Sequence, residues 1–344
     1  MPPMTPAFPT ARTPNPLDAP PLRWGVLAPG RIASAFVTAV STYTRQRVVA
    51  VGSRSLDRAQ GFASAHGVER AFGSYADLVD DAGVDAVYVA SPHSEHAAQA
   101  LLAIAAGKHV LVEKSFTRNA TEAQRVVDAA GAAGVLAMEA MWTRFLPQSD
   151  VIAQLLADGL LGEVGTVLAD HGQSMEPDPG SRLFDPALAG GALLDLGVYP
   201  ISFASFVLGT PDTVMATGSI TDTGVDAQVS VTLLVGTAMA CLNTTLRTRT
   251  PTTASISGSA GYLELSGPFY APGTLTLTTP AGRAEREPDG VTGSDGLCHE
   301  AAHFAQLVAD GATESPLLPL TETVRVLRTI DEIRRQLGVS YPGE

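Results

Sequence analysis

The N-terminal half of the chain alternates short, continuously apolar runs with alanine-rich stretches of helical spacing. Runs that are rich in valine and apolar at successive positions are typical of strands buried on both faces of a sheet. Their alternation with helices predicts βαβ units and a parallel, doubly wound sheet. The predicted strands span 24–28, 48–52, 84–90, 110–113 and 135–139, and the predicted helices span 32–40, 56–66, 75–80, 95–106 and 121–132.

From about residue 145 the pattern shifts to segments rich in Thr, Val, Ser and Gly. After a helix at 147–156, a segment at 162–171 and an apolar helix at 192–208, these segments predict successive antiparallel strands, followed by helices at 299–310 and 321–337. The expected fold class is an α/β domain at 22–144 and then an α+β domain at 145–344 with a large, mostly antiparallel, open-faced sheet. Its strands are predicted at 214–220, 228–234, 237–245, 252–257, 261–265 and 274–278.

The first 21 residues contain eight prolines and little that a core can bury. This composition favours extended, solvated backbone, so residues 1–21 are expected to form a flexible arm. The arm lacks the apolar segment of a signal peptide, and no apolar run elsewhere reaches the ~18–20 residues of a membrane helix. A cytoplasmic location without a membrane partner is therefore expected.

Charge and cysteine content narrow the function classes further. The 344 residues carry 22 basic and 35 acidic side chains, a net charge of −13, which argues against nucleic-acid partners. Two cysteines cannot form a disulfide framework, so a reducing compartment is indicated. Lys108 and Lys114 are the only lysines among the 22 basic residues, which makes either of them a position of interest.

The segment after the first predicted strand has features of a dinucleotide-binding turn. In such a turn, backbone N–H groups and a helix N-terminus contact the pyrophosphate. Ala28, Gly30 and Ala33 hold the three positions of the G-x-G-x-x-G pattern, so the match is degenerate, and an ordinary βα turn is the alternative. Cofactor contacts are expected from Ala28, Gly30, Arg31 and Ile32.

The end of the second predicted strand favours NADP over NAD. An NAD enzyme places a carboxylate there to bind the ribose 2′-hydroxyl. This chain has Ser53 and Arg54, with Arg58 one turn later, and a guanidinium can hold a 2′-phosphate. Solvated surface arginines are the alternative interpretation.

Four further segments resemble a known family in their order and spacing. They are S-P-H-S-E-H at 91–96, E-K-S at 113–115, E-A-M-W-T-R-F at 139–145 and G-G-A-L-L-D-L-G-V-Y at 190–199. The pattern resembles the Gfo/Idh/MocA oxidoreductases, in the branch of dimeric dihydrodiol dehydrogenase, NADP-dependent D-xylose 1-dehydrogenase and glucose–fructose oxidoreductase. The resemblance covers about residues 22–338 and implies a Rossmann NADP-binding domain followed by a substrate-binding and dimerisation domain.

The resemblance also assigns catalytic roles. The E-K-P motif of the family falls on 113–115, which makes Lys114 the catalytic lysine and places Glu113 beside the cofactor. The D-x-G-x-[HY] motif falls on 195–199, which makes Tyr199 the acid/base and Asp195 its companion. Ser115 stands where the family has proline. A cis peptide costs ~3–4 kcal/mol before serine but ~0.5–1 kcal/mol before proline, so we expect the Lys114–Ser115 peptide to be trans.

The chemistry agrees with these roles. Tyrosine, with a pKa of ~10, is a poor base at neutral pH unless a nearby cation stabilises its phenolate, and Lys114 at a strand end can supply that cation. Asp195, four residues before Tyr199, shares its face if the segment is helical. Pro200 lacks an N–H, so the backbone after Tyr199 is expected to depart from an ideal helix. The alternatives are an ordinary strand-end lysine, a surface carboxylate and a half-buried tyrosine.

Further contacts to cofactor and substrate follow from the resemblance. Ser91, Pro92, His93 and His96 match a loop beside the nicotinamide ribose, with a helix N-cap region and exposed histidines as the alternative. The substrate cleft is expected to draw on a second group, for which interdomain packing is the alternative. That group comprises Trp142, Arg144, Phe145, Arg182, Phe184, Asp195 and Tyr199.

Residues 299–303 spell H-E-x-x-H, the zinc-protease signature, directly after Cys298. The family has a helix here with a glutamate followed by an aromatic residue, which Glu300 and Phe304 match. We therefore expect no metal site at this motif.

The sequence as a whole predicts an NADP(H)-dependent oxidoreductase that transfers hydride between nicotinamide and a pyranose sugar or cyclic trans-dihydrodiol. Two alternatives stay open: a catalytically silent dinucleotide-binding sensor, and a sugar–sugar oxidoreductase with tightly held NADP. An open apolar sheet face is an association liability unless it is covered, so a homodimer through that face is expected, as the resemblance also implies.

Overall fold

The computed structural model describes residues 6–178 and 180–344. Contacts divide the chain into two compact units. The Rossmann unit comprises Pro14–Phe145 and Gly293–Val324, and the sheet unit comprises the described residues of 6–13, Leu146–Thr292 and Arg325–Glu344. This division differs from the predicted single boundary at 144/145, because part of the C-terminal region belongs with the Rossmann unit.

The Rossmann unit contains a six-stranded sheet in the order β3-β2-β1-β4-β5-β6, and all five strand pairs are parallel. The predicted doubly wound fold is therefore confirmed. Its strands are β1 (Arg23–Leu27), β2 (Arg47–Gly52), β3 (Arg70–Phe72), β4 (Ala86–Val89), β5 (His109–Glu113) and β6 (Ala137–Ala140). Its helices are α1 (Arg31–Tyr43), α2 (Leu56–His66), α3 (Tyr75–Val79), α4 (His93–Ala105), α5 (Ala120–Ala133) and α8 (Leu297–Ala309).

Trp24 on β1 explains why α8 packs in the Rossmann unit. Its indole is fully buried, with its ring centroid 4.9 Å from that of Phe304 on α8. The indole N–H donates to Gln46 Oε1 at 2.6 Å, and the Gln46 amide donates to the carbonyl of Ala301 at 3.1 Å. A buried indole requires a polar partner, and this relay supplies one while it ties α8 to the sheet.

The sheet unit contains eight strands in the order β14-β13-β12-β11-β7-β10-β9-β8. The β7–β10 pair is parallel and the other six pairs are antiparallel, as expected for a mostly antiparallel sheet. The strands are β7 (Val164–Gly172), β8 (Thr213–Ile220), β9 (Asp226–Val235), β10 (Ala238–Thr245), β11 (Ala254–Gly258), β12 (Gly261–Leu265), β13 (Leu275–Thr279) and β14 (Gly282–Arg286). The last of these was missed from the sequence. The helices are α6 (Pro147–Ala157), α7 (Val198–Leu208) and α9 (Leu320–Leu337), and the boundary between the units falls within α9.

One face of this sheet is buried and the other is open. Along β10, Ala240 and Leu242 are buried, whereas the alternate positions Met239 and Cys241 are exposed. Alternation of this kind places one set of side chains against the helices and the other toward solvent. The open face forms a groove of about 760 Å³, whose lining includes Leu168, Ser230, Asn243 and Glu264.

The proline-rich arm makes a few polar contacts with α6. Residues 1–5 lie outside the described residues. Farther on, the backbone N–H and guanidinium of Arg12 both donate to Asp150 on α6 at 2.6 Å, and Gln154 donates to the carbonyl of Thr10 at 3.0 Å. Pro16 is buried in a short 3-10 turn capped by Asn15. Most of the described arm residues are exposed or half-buried, as a solvated segment is.

The stretch Pro186–Leu208 is apolar and long enough to span a membrane, although we expected no such run. Most of it is buried inside the sheet unit, and its α7 portion packs on β7 and β10. Burial of this kind is what the core helix of a globular domain shows.

Candidate functional site

The turn after β1 has the backbone form that a dinucleotide requires. Ala28 takes φ +65°, a left-handed conformation that glycine adopts more readily, and its N–H donates to the carbonyl of Gly52 at 3.0 Å. Gly30 is the N-cap residue of α1 and makes no side-chain capping bond. The N–H groups of the first helical turn, which begins at Arg31 and Ile32, are thereby left for a phosphate.

Two arginines and a tyrosine ring lie near the end of β2. Ser53 is buried and its hydroxyl accepts from the N–H of Ser55 at 3.2 Å, whereas Arg54 and Arg58 are exposed. Burial and the charge of Glu95 raise the pKa of the nearby Tyr75 phenol, and the charges of Arg54 and Arg58 lower it. The ring therefore lies within electrostatic range of two guanidinium groups and one carboxylate.

His96 connects the segments that follow β4 and β5. Its imidazole is buried, with Nε2 2.8 Å from the carbonyl oxygen of Ser91 and Nδ1 2.9 Å from that of Ser115. Carbonyl oxygens only accept, so both hydrogen bonds can form only when both ring nitrogens carry a proton. Pro92 is the N-cap residue of α4 and His93 is buried, so the alternative of an N-cap region holds for its position but not for exposed histidines.

The Lys114–Ser115 peptide is cis, so our expectation of a trans bond is wrong. The backbone here is held by tertiary hydrogen bonds that local preference does not include. His96 bonds the carbonyl of Ser115, and the N–H of Phe116 donates to Glu139 Oε1 at 3.1 Å. Lys114 follows directly on β5, at the sheet edge that also carries Ala28, Ser53 and Ser91.

Glu113, the last residue of β5, places a carboxylate at the same edge of the sheet. It is buried and accepts hydrogen bonds from the hydroxyl of Tyr88 and from the N–H of Lys114. Burial, and then the charge of Glu113, raise the pKa of Glu300 well above its ordinary value.

The H-E-x-x-H segment lies inside the Rossmann unit on α8. Burial lowers the pKa of His303 to about 4, and its Nε2 lies 2.8 Å from Ser315 Oγ. Burial also raises the pKa of the Cys298 thiol to about 12. Within residues 6–178 and 180–344, no group of three or more His, Cys, Asp or Glu side chains is arranged to hold a metal ion.

In the sheet unit, Asp195 and Tyr199 lie on a segment that begins as a π-helical turn, Leu193–Gly197, and continues as α7. The predicted departure from an ideal helix is therefore present, but it precedes Tyr199 rather than follows it. Pro200 has no N–H for the carbonyl of Leu196, and His171 Nδ1 lies 3.2 Å from that oxygen. Since a carbonyl only accepts, His171 donates from Nδ1 to this oxygen, which also accepts from the N–H of Val198.

An aromatic cluster surrounds Tyr199. The ring of Tyr270 stacks on that of Tyr199 at 4.4 Å, and the ring of His171 lies 5.5 Å from it. Burial, and then the charge of Asp195, raise the pKa of Tyr270, which places that carboxylate near the cluster. Arg182 pairs with Asp195 at 2.9 Å. The structure thus brings together Asp195, Tyr199 and Arg182 as the sequence analysis implied.

Arg144, Phe145 and Phe184, which were also expected to contact substrate, make buried contacts with other side chains. The guanidinium of Arg144 is buried, paired with Glu322 at 2.7 Å and bonded to the carbonyl of Leu317 at 2.9 Å. Phe145 stacks on His303 at 5.2 Å, and Trp142 is also buried. Phe184 belongs to a buried hydrophobic cluster with Leu183, Ala192, Leu196 and Leu246. For Arg144 and Phe184 these contacts are packing within a single unit, which differs from the interdomain packing given as the alternative.

Three neighbours of the site were missed from the sequence: Tyr75, His171 and Tyr270. His171 ends a segment that the sequence analysis singled out, so a histidine at a predicted strand end was the available signal. Tyr75 is the first residue of the helix predicted at 75–80, so nothing in the pattern marked it as a site residue. Tyr270 lies in a loop after β12, where the sequence shows no periodic pattern.

Comparison with known proteins places this arrangement in a family. The model described as "Oxidoreductase family, NAD-binding Rossmann fold" matches residues 22–141, and the GFO/IDH/MocA C-terminal domain matches residues 150–264. The chain belongs to the Gfo/Idh/MocA oxidoreductases. The resemblance stated from sequence is therefore confirmed, and the protein is an oxidoreductase of this family.

Members of the family with similar chains are known as enzymes. The trans-1,2-dihydrobenzene-1,2-diol dehydrogenase of Sus scrofa is 37% identical, over 94% of this chain and 99% of that protein. The Homo sapiens enzyme of the same name is 35% identical over the same shares.

Solved structures show the same two-part fold. The 3-ketoreductase KijD10 from Actinomadura kijaniata, in complex with NADP and TDP-benzene, superposes with a TM-score of 0.80 at 28% identity, over 92% of this chain and 98% of that one. An aldose-aldose oxidoreductase from Caulobacter crescentus superposes with a TM-score of 0.83 at 25% identity, over 92% and 97%.

The buried carboxyl of Glu139 generates a prediction about stability. Burial raises its pKa to about 7 although Thr323, the N–H of Phe116 and Arg144 all favour the charged form. Because the folded state holds this proton more tightly than the unfolded state, the associated stability is complete below the unfolded pKa of 4.5 and is lost as pH rises through 7. We expect Glu139→Gln to gain about 3 kcal/mol relative to wild type between those pH values.

Urea unfolding of both proteins from pH 4.5 to 8 measures this difference in the free energy of unfolding. Glu69→Gln, which alters an exposed carboxyl of the same unit, serves as the control and should track the wild type. A Glu139→Gln difference that does not change with pH contradicts the prediction.

Proposed function

We propose that this chain is an NADP(H)-dependent dehydrogenase or reductase of CH–OH groups. It transfers hydride between nicotinamide and a secondary alcohol or hemiacetal carbon of a pyranose sugar or cyclic trans-dihydrodiol. The observation that carries the proposal is the mostly buried Tyr199, stacked on Tyr270 beside the paired Asp195. The diol dehydrogenases, the ketoreductase and the aldose-aldose oxidoreductase support the same reaction class.

The preference for NADP rests on Arg54 and Arg58. No carboxylate stands at the end of β2, where it would repel a 2′-phosphate, and two guanidinium groups near Tyr75 would bind one. The turn at Ala28 and the N-terminus of α1 suit the pyrophosphate. The similar ketoreductase was solved with NADP. When bound, the nicotinamide supplies or accepts the hydride.

Side chains of this protein carry out the proton transfers that accompany hydride transfer. Tyr199 takes the hydroxyl proton during oxidation and returns it during reduction, and the ammonium of Lys114 stabilises the phenolate between these steps. Asp195, held by Arg182, orients the substrate hydroxyl. The aromatic rings of Tyr199 and Tyr270 provide an apolar surface with polar tips, which suits a sugar or a cyclic diol.

The sugar–sugar oxidoreductase with tightly held NADP is the second candidate, since an aldose-aldose oxidoreductase has a similar fold and sequence. Absorbance at the nicotinamide band in freshly purified protein separates it from an enzyme that exchanges its cofactor. The presence of Lys114, Asp195 and Tyr199 together argues against a catalytically silent sensor.

We expect Lys114→Ala and Tyr199→Phe to lower kcat by ~10²–10⁴-fold, because each removes one part of the acid/base pair. NADPH binding, followed by fluorescence, should persist in both variants. Lys108→Ala alters the other lysine, whose ammonium bonds the carbonyls of Asp81 and Val84, and should leave kcat near the wild-type value. Tyr262→Phe, on the exposed sheet face, is the control for Tyr199→Phe and should also leave kcat near the wild-type value. Wild-type turnover in the Lys114 and Tyr199 variants would end the proposed mechanism.

We expect Arg54→Ala to raise the KM for NADP(H) by ~10–100-fold while the KM for NAD(H) stays the same, since a charged hydrogen bond to the 2′-phosphate is lost. Initial rates with both cofactors measure this ratio. Arg125→Ala, an exposed position on α5, is the matched control. An unchanged NADP/NAD preference would remove Arg54 from this role.

We also propose a homodimer, formed through the open face of the sheet, in the reducing environment of the cytoplasm. Leu168, Met239 and Tyr262 are 48%, 40% and 41% exposed on this unit, which is an apolar surface that a second copy would cover. The free thiol of the exposed Cys241 fits a reducing compartment.

Light scattering should therefore give twice the 35.6 kDa chain mass for the wild type and a single chain mass for Leu168→Asp. Leu317→Asp, at an equally exposed position in the Rossmann unit, should remain a dimer. A dimeric Leu168→Asp protein would place the contact elsewhere.

A further inference from the structure

The segment that carries Asp195 and Tyr199 starts at a turn of two glycines that buried groups hold in place. The hydroxyl of Tyr341 donates to the carbonyl of Gly190 at 2.7 Å. A side chain at Gly190 would lie 2.6 Å from the carbonyl oxygens of Arg182 and Leu183, so only glycine fits there. The start of the segment is therefore fixed by close backbone packing.

Asp226, the first residue of β9, occupies the other side of this turn. Its side chain is fully buried, and Oδ2 accepts a hydrogen bond from the N–H of Leu193 at 2.6 Å. The second oxygen, Oδ1, fills the space that a side chain at Gly191 would need, and Gly191 takes φ +110°. The N–H of Leu193 begins the π-helical turn that contains Asp195. The Asp226 carboxyl thus caps the N-terminus of the catalytic segment.

A carboxylate at this depth needs some compensation for its lost hydration. Backbone N–H groups at Ala192 and Leu193 and the charge of Arg334 favour its ionised form, yet burial outweighs them and raises the pKa of Asp226 to about 6. Arg334 is itself buried, stacked 4.1 Å over the ring of Tyr341 and paired with Glu344 and Asp331. Asp226 therefore titrates within the working range of an enzyme.

We propose that Asp226 is a positioning residue for the reaction: its ionised carboxyl caps the segment and so fixes where Asp195 and Tyr199 lie. This inference rests on the proposed function of Tyr199. Asp226 touches neither cofactor nor substrate in this scheme and acts through the backbone of Leu193.

Protonation weakens the cap, because a neutral acid accepts a hydrogen bond less strongly than a carboxylate does. The fraction of correctly placed Tyr199 then falls below about pH 6. The charged and titratable groups near the carboxyl are Arg334 on α9 and Tyr341 after it, with Glu344 and Asp331 paired to Arg334. Asp226 itself accepts the hydrogen bond from Leu193, so its protonation changes that bond directly.

The test compares Asp226→Asn and Asp226→Ala with wild type by kcat and KM from pH 5 to 9. Asparagine keeps an acceptor for the Leu193 N–H but does not titrate, so its kcat at pH 8 should stay within ~3-fold of wild type while the acid limb near pH 6 flattens. Alanine removes the cap, so kcat should fall by ~10–100-fold across the range through misplacement of the acid/base. The Kd for NADPH should be unchanged in both variants.

Asp212→Asn is the matched control, since Asp212 accepts from the N–H of Gly236 at 2.7 Å in an exposed turn of the same unit. It should keep the wild-type profile. An Asp226→Asn enzyme that retains the wild-type acid limb, or an Asp226→Ala enzyme with wild-type kcat, overturns the inference. If the alanine variant does not fold, the profile of the asparagine variant decides.

Failure of this inference is distinguishable from failure of the proposed function. A wild-type protein without NADP(H)-dependent turnover of sugars or cyclic diols refutes the proposed function, and wild-type turnover in Tyr199→Phe refutes the acid/base role of Tyr199, whatever the Asp226 variants do. An inactive Tyr199→Phe enzyme together with wild-type behaviour of both Asp226 variants refutes only the positioning role.

Discussion

Buried backbone at the ends of regular elements must find hydrogen-bond partners, and this requirement organises both units of the protein. Asp226 bonds the N–H of Leu193, and His171 bonds the carbonyl of Leu196. In the Rossmann unit, Glu139 bonds the N–H of Phe116. Each of these side chains holds a backbone segment next to a residue with a proposed catalytic role.

The same side chains explain why the interior contains titratable groups at all. A buried carboxyl or imidazole is costly unless it is hydrogen-bonded, and here the bonds go to backbone groups. The consequence is a raised pKa for Glu139 and Asp226, to about 7 and about 6. The buried carboxyls of Glu139 and Asp226 therefore hold backbone N–H groups in place, and the same burial raises their pKa values.

Arginine side chains cluster at particular places in the structure although the chain as a whole is acidic. The net charge of −13 gives no indication of an anionic cofactor, yet Arg54 and Arg58 gather beside Tyr75 at the end of β2. Arg144 and Arg334 are buried in ion pairs within their own units. Arginine thus forms these buried ion pairs, and Lys114 stands directly after β5.

Sequence patterns determined the fold class, the order of the elements, the family and the positions of Lys114, Asp195 and Tyr199. Apolar periodicity and motif spacing are properties of nearby residues, and they predicted helices and strands that the structure contains. The boundary between the units could not be predicted from local patterns, because α8 joins the Rossmann unit through contacts of Trp24 and Gln46 with Phe304 and Ala301, which lie 280 and 255 positions farther along the chain.

Only the tertiary structure decided how the site is held. The cis peptide at Lys114–Ser115 opposes the local preference of serine, and its neighbours are bonded by His96 and Glu139 from other elements. Tyr270 reaches Tyr199 from a loop that carries no periodic signal. Asp226 meets Leu193 across 33 residues. Local sequence determines which elements form, whereas hydrogen bonds and ring contacts between distant residues form only once those elements have packed together.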